Sequence, residues 1–160
     1  MLRFLILPFI FLLSCNPKAQ NQPSNENLLK TQFSLPKKLK EVSGITVSKD
    51  KKTIWVIEDK GNKNAVYALN DKGEMIGKIP VDNAENTDWE DIISDAAGNI
   101  YIGDFGNNDN NRQDLAILKT DLKDAGQAST KVIQTTKFHY EGQTEFPPKN
   151  QIYYMTVRLL

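Results

Sequence analysis

A chain of 160 residues, 39% hydrophobic and 25% charged, has the make-up of one ordinary globular domain. Twenty basic residues balance twenty acidic ones and no Lys/Arg stripe is interleaved with aromatics, which argues against a nucleic-acid partner. A single cysteine excludes an internal disulfide framework and a cysteine-based zinc cluster.

Residues 1–15 read MLRFLILPFIFLLSC. One positive charge, Arg3, precedes an apolar run from Phe4 to Leu13, and small Ser14 precedes Cys15. That order predicts a secretory signal over residues 1–14. The run is too short to span roughly 30 Å of hydrocarbon, and Pro8 interrupts it. Leu12-Leu13-Ser14-Cys15 resembles the lipobox of bacterial lipoproteins, in which the cysteine is acylated and the chain is cut before it. The resemblance implies a membrane partner through a lipid anchor on Cys15, a palmitate-type modification. Each buried CH₂ of such an anchor contributes about 0.8 kcal/mol. Asn16, rather than Asp, resembles lipoproteins sent to an outer membrane. The following Asn-, Gln-, Ser- and Pro-rich stretch cannot bury enough apolar surface to order itself. Residues 15–34 are therefore expected to form the acylated cysteine and a flexible tether, reaching roughly 20–25 Å by random-coil scaling.

From residue 35 the chain alternates short β-rich runs with turn residues. Expected strands are Ser43–Val47, Thr53–Glu58, Ala65–Asn70 and Met75–Val81, then Asp91–Ser94, Asn99–Gly103, Leu115–Thr120 and Val132–Tyr140. Nothing reads as a long amphipathic helix, so the fold class is all-β. The lone His139 falls in an alternating strand and reads as a packing or surface residue rather than a ligand.

The two sets of strands also align with each other. Ile54-Trp55-Val56-Ile57-Glu58-Asp59-Lys60-Gly61-Asn62 matches Ile100-Tyr101-Ile102-Gly103-Asp104-Phe105-Gly106-Asn107 with one gap, each ending in Asp-x-Gly-Asn, where Gly and Asn tolerate positive φ in a tight turn. Glu41-Val42-Ser43-Gly44-Ile45 aligns with Asp88-Trp89-Glu90-Asp91-Ile92. A period of about 45 residues with four strands is the size of a propeller blade. The expectation is a partial β-propeller of four-stranded antiparallel blades, two of them within residues 35–146. A sandwich of simple hairpins would not need so long a period.

These motifs, with Gly103-Asp104-Phe105-Gly106-Asn107-Asn108-Asp109, resemble a bacterial secreted propeller family whose relatives include gluconolactonase-like, NHL-repeat and esterase-like phytase propellers. The resemblance implies blades whose first strands line a central channel, and a divalent cation, commonly Ca²⁺, at its mouth. Such a propeller usually has about six blades, and two cannot close a ring. The end of the chain, within residues 147–160, looks unlike a blade. Read from the last base of the Met155 codon, the next codon is Asp, and permitted codons continue as Cys-Glu-Ala-Phe, another blade start. This predicts a frameshift near residues 150–155 in a longer parent.

Chemistry centres on acids. Asp88, Glu90 and Asp91, with Glu41 from the preceding blade and Asp104 after the sixth strand, are the candidate metal ligands. Hard cations take six to eight oxygen ligands, and crowded carboxylates repel without one. The plain alternative is that these acids cap strands, accept backbone amides or pair with lysines. The Asn107–Asn111 loop is oxygen-rich but lacks EF-hand spacing, and Asp59 and Asn62 take the matching place in the first blade, which favours a structural turn. No nucleophile motif appears, so no catalytic residue is assigned. The sequence thus reads as a lipid-anchored cell-envelope protein, in the outer membrane. Its truncated propeller binds a small molecule or an envelope protein. The other reading is a fragment of a divalent-metal-dependent hydrolase of lactones, esters or phosphate esters.

Overall fold

The computed structural model describes residues 30–149 and the backbone of Val157–Leu159; the leader, Cys15 and the tether as far as residue 29 lie outside the described residues, as do 150–156 and 160. The strands belong to one compact unit, Gln32–Leu160. In chain order they are β1 (Val42–Val47), β2 (Ile54–Glu58), β3 (Ala65–Leu69), β4 (Met75–Pro80), β5 (Trp89–Ser94), β6 (Ile100–Asp104), β7 (Ala116–Thr120), β8 (Val132–Tyr140) and β9 (Val157–Leu159). No helix occurs among the described residues. The all-β class holds, and the eight expected strands form with ends moved by no more than two residues.

The strands make two antiparallel sheets, ordered β1-β2-β3-β4 and β5-β6-β7-β8-β9. Each consecutive four have the up-and-down order of a propeller blade, called here blade 1 and blade 2. The ninth strand lies in the segment expected to differ from a blade, and it extends blade 2, with Leu159 opposite Phe138.

Alternation along each strand divides the side chains between two faces. In blade 1, Trp55, Ile57, Val66, Ala68 and Ile79 point toward blade 2 and meet Trp89, Ile92, Ile100, Ile102 and Leu118 in one core. The opposite face of blade 1, with Val56, Ala65, Tyr67 and Leu69, is covered by Leu39. Pairing registers confirm that the two sheets repeat one design. Gly44 opposes Ile57 and Ile45 opposes Val56 in blade 1; Asp91 opposes Gly103 and Ile92 opposes Ile102 in blade 2. The first hairpins close alike as well. Ser48 and Asp95 each exchange backbone hydrogen bonds across the turn, and each side chain accepts a backbone N–H from Thr53 or Asn99.

Blade 1 meets blade 2 chiefly through β1 and β5. A Cβ on Gly44 would lie 2.8 Å from Ile92 N and 2.9 Å from Asp91 Cα, both rigid backbone atoms. Beyond this contact the Ser94 hydroxyl donates to Val47 O at 2.7 Å, and Ser94 N–H donates to Thr46 Oγ1 at 3.3 Å. Ile45 and Ile92 hold equivalent places, yet Ile45 is 54% exposed and Ile92 only 1%, because blade 1 covers the second and no described residue covers the first.

Gly44→Ala should therefore destabilise the domain by about 1–3 kcal/mol, the usual cost of overpacking a tight contact. Urea unfolding measures this; an unchanged midpoint would show that β1 and β5 do not approach as described.

Candidate functional site

The site lies where β1 and β5 begin and β2 and β6 end. In both blades the register slips by one residue, between Val42 and Gly44 and between Trp89 and Asp91. The extra residues are Ser43 and Glu90. A bulge takes its residue out of the ladder and re-aims its side chain, which is how Glu90 leaves the alternation of β5.

Just inside each bulge sits a buried acid. Val42 opposes Glu58 and Trp89 opposes Asp104. Glu58 Oε1 accepts Lys40 N–H at 2.9 Å, and Asp104 Oδ1 accepts Asp88 N–H at 3.1 Å. The two acids thus tie down the chain entering each first strand, but their counter-groups differ. Glu58 is hydrogen-bonded with the Tyr67 hydroxyl, whose pKa is driven up first by burial and then by this carboxylate. Asp104 pairs with the Arg112 guanidinium at 2.9 Å. Burial pushes the Asp104 carboxyl above its ordinary range, and Arg112 opposes that shift without reversing it.

Arg112 also orders the Asn-rich loop. It donates to Gly106 O at 3.0 Å and to Asp114 Oδ1 at 2.9 Å, while its own N–H reaches Asn107 Oδ1 at 2.9 Å. The two Asp-x-Gly-Asn turns use their glycines differently. Gly61 has φ +83°, as a tight turn requires, but Gly106 is outside the left-handed region. A Cβ on Gly106 would collide with the Asp88 carboxyl, so this glycine makes room for an acid.

Asn86 fixes one blade end against the other. Its Nδ2 donates to Glu58 O at 2.9 Å and Asp59 O at 3.0 Å, and its Oδ1 accepts Trp89 N–H at 3.1 Å. Across this staple, one carboxylate oxygen each from Asp59, Asp88 and Glu90 lie within 4.8 Å of one another. Asp88 is 4% exposed; its Oδ2 is 3.5 Å from Lys60 Nζ, and its Oδ1 is buried without a hydrogen-bond partner. Burial raises the Glu90 carboxyl above its usual range, and the charges of Asp59 and Asp88 raise it further against the pull of Lys60.

Of the five acids singled out in the sequence as metal ligands, the structure brings together Asp88 and Glu90 and adds Asp59. Glu41 Oε2 accepts instead from Asn62 Nδ2 at 2.8 Å. Asp91 is exposed on the far face of blade 2, its Oδ1 taken by the N–H of Ile92. Asp104 is held by Arg112. Asp59 carries the weak signal of lying directly after a strand and beside Lys60; Asn86 carries none.

Glu90 also forms one wall of a cleft of about 370 Å³, shared with Phe105, Asn107, Asn108, Asn110 and Tyr140. Two larger hollows lie elsewhere. One of about 570 Å³ is the open face of blade 2 around Ile93, Tyr101 and Ile117; another of about 440 Å³ lies at the opposite end of the blades beside Trp55 and Lys123. Neither contains the acids that converge from the two blades.

A family model described as SdiA-regulated matches residues 24–149. The chain belongs to the SdiA-regulated family. This family has a β-propeller-like domain, in agreement with the two blades. The match spans both blades, the Asn86 staple and every acid discussed above. No curated protein matches the chain in sequence.

Removing the charge that holds Asp104 tests the architecture of this end. Arg112→Ala should cost about 3–5 kcal/mol in urea unfolding, the usual penalty for leaving a buried carboxylate unpaired. Arg112→Lys should recover only part of it, since an ammonium cannot reproduce the forked contacts. Full stability of Arg112→Ala would contradict the assignment.

Proposed function

We propose that this chain is a lipid-anchored protein of the bacterial cell envelope, held at the outer membrane through Cys15, whose propeller-like domain binds a ligand at the loop end of the blades. The anchor rests on the order Arg3, apolar run, Ser14, Cys15, and on Cys15 being the sole cysteine. A polar tether before the blades would hold the binding end clear of lipid headgroups. Kinship with gluconolactonase-like, NHL-repeat and phytase-like propellers belongs to the same proposal and supports the fold rather than an activity.

One observation carries the binding site. Among the described residues, four buried side-chain polar atoms have no hydrogen-bond partner: Ser43 Oγ, Asp88 Oδ1, Asn107 Nδ2 and Gln143 Oε1. All four residues lie at the same end of the sheets, at the start of β1, before β5, after β6 and after β8. Each orphaned atom costs about 1–3 kcal/mol, and native proteins tolerate few. Their gathering at one end of the sheets, with Asn107 on the wall of the cleft, supports a surface built for a ligand rather than for packing. The cleft offers amides, a carboxylate and two aromatic rings and no basic side chain, which suits a neutral polar small molecule. A metal-dependent hydrolase of esters, lactones or phosphate esters is the second reading, drawing on Glu90 at the wall of this cleft and on Asp59 and Asp88 near it.

Metabolic labelling with a palmitate analogue should mark the chain and keep it in the membrane fraction, and Cys15→Ala should lose both; an unlabelled wild type would refute the anchor. A thermal-shift panel of neutral sugars, lactones and phosphate monoesters should give at least one stabilising ligand, with the effect lost in Asn107→Ala. Turnover of an ester or lactone that disappears in Glu90→Gln would establish the hydrolase instead. No stabilisation and no turnover would remove the site.

A further inference from the structure

We infer that the open far face of blade 2 receives blade 1 of a second copy of this chain. Copies then join head to tail through the kind of contact that joins the two blades within one copy.

Within the chain that contact is made by β5 lying against β1 and β2. Because the blades repeat one register, each half of it is presented a second time and left unused. On the receiving side, Thr46, Trp55 and Ile57 of blade 1 correspond to Ile93, Tyr101 and Gly103 on the far face of blade 2. On the entering side, Ile92 and Ser94 of β5 correspond to Ile45 and Val47 of β1. The receiving face of blade 2 is a mostly apolar hollow of about 570 Å³, walled by Ile93, Tyr101, Phe105 and Ile117. On the entering face of blade 1, Leu39 covers Val56, Ala65, Tyr67 and Leu69 but leaves β1 open. Ile45 is 54% exposed, Val47 47% and Ile93 54%. They are three of the six exposed large hydrophobic side chains among the described residues. Apolar surface gathered on two matching faces marks an interface.

Exposed apolar faces alone do not name their partner, but the substitutions at their centre do. Inside the chain, Ser94 of the entering strand donates to the Thr46 hydroxyl and the Val47 carbonyl of the receiving strand. At the open faces both positions are apolar at once, with Val47 in the place of Ser94 and Ile93 in that of Thr46. A polar pair is thus exchanged for an apolar pair whose members lie on opposite faces of one molecule, so they can meet only between copies. The sizes match as well. Asp91 stands where Gly44 stands, and a side chain there holds the two backbones further apart than Gly44 does. Isoleucine for threonine and valine for serine fill that wider gap. Such a contact is heterologous, and its repeated rotation can close a ring. With two blades in each copy and about six in a propeller, three copies complete the circle.

The test is disulfide cross-linking of the full-length chain carrying Cys15→Ser, so that only introduced thiols react. Copies with Val47→Cys mixed with copies with Ile93→Cys should give an oxidised dimer, and neither variant alone should. Sedimentation of the Cys15→Ser chain in detergent should show three copies. Ile93→Asp and Ile45→Asp should each weaken association at least tenfold. Neither should move the urea midpoint of the dilute monomer, because both side chains are exposed in a single copy. Asp91→Gly, which restores the glycine of the inner contact, should strengthen association several-fold. A chain that stays monomeric at every concentration would leave the face to a different partner and overturn the inference. A disulfide dimer of Ile93→Cys copies alone would pair the face with itself and overturn it equally.

Discussion

The first strands of the two blades approach so closely at Gly44 that one added methyl group would strike the backbone of Asp91 and Ile92. Everything at the loop end follows from that approach. Because β1 and β5 run side by side, the chain leaving β2 and the chain entering β5 are brought together, and Asn86 can reach carbonyls of one blade and an amide of the other. Asp59 then stands beside Asp88 and Glu90, with its neighbour Lys60 reaching Asp88 Oδ2 at 3.5 Å. The hydrophobic contact beneath, with Trp89 fully buried, supplies the energy that three mutually repelling carboxylates would otherwise spend on parting.

The blades repeat one backbone plan and diverge in how they treat charge. Both end β2 or β6 in a buried acid that accepts an N–H from the residue leading into the blade. In blade 1 that acid meets a tyrosine hydroxyl. In blade 2 it meets arginine, which in turn secures the asparagine loop over the cleft. The same position is therefore a quiet strand end in one blade and the anchor of a binding wall in the other. Ser43 and Glu90 show the same divergence: equivalent bulges present a hydroxyl in one blade and a carboxylate in the next.

Much of the fold is legible in the sequence because its signals are local. Period-two alternation and the turn residues around Lys49-Asp50, Gly61-Asn62 and Asn70-Asp71 mark the strands. The recurrence of Glu41-x-x-x-Ile45 in Asp88-x-x-x-Ile92 marks the blade starts, which the register bears out. The candidate site is legible only in part. Asp-x-Gly-Asn invites pairing Asp59 with Asp104, but the register pairs Glu58 with Asp104. Phe105 is the reason: it is an extra residue that folds its ring back over Gly103, where a Cβ would collide with it. That insertion moves the counterpart of Asp104 one place back and frees Asp59 to face the other blade. The far-face position of Asp91 is hidden for a similar cause, since the bulge at Glu90 resets which side chains face which way. Such one-residue slips depend on cross-strand pairing, and a single strand's sequence does not record them.

The account turns on acids of separate blades being near neighbours, and a double-mutant cycle between Asp59→Asn and Glu90→Gln measures that directly. Removing either charge relieves the same repulsion, so in chelator the two stability changes should be non-additive by about 0.5 kcal/mol or more. Strict additivity, within roughly 0.3 kcal/mol, would mean the carboxylates do not sense each other and would contradict the convergence of the two blades.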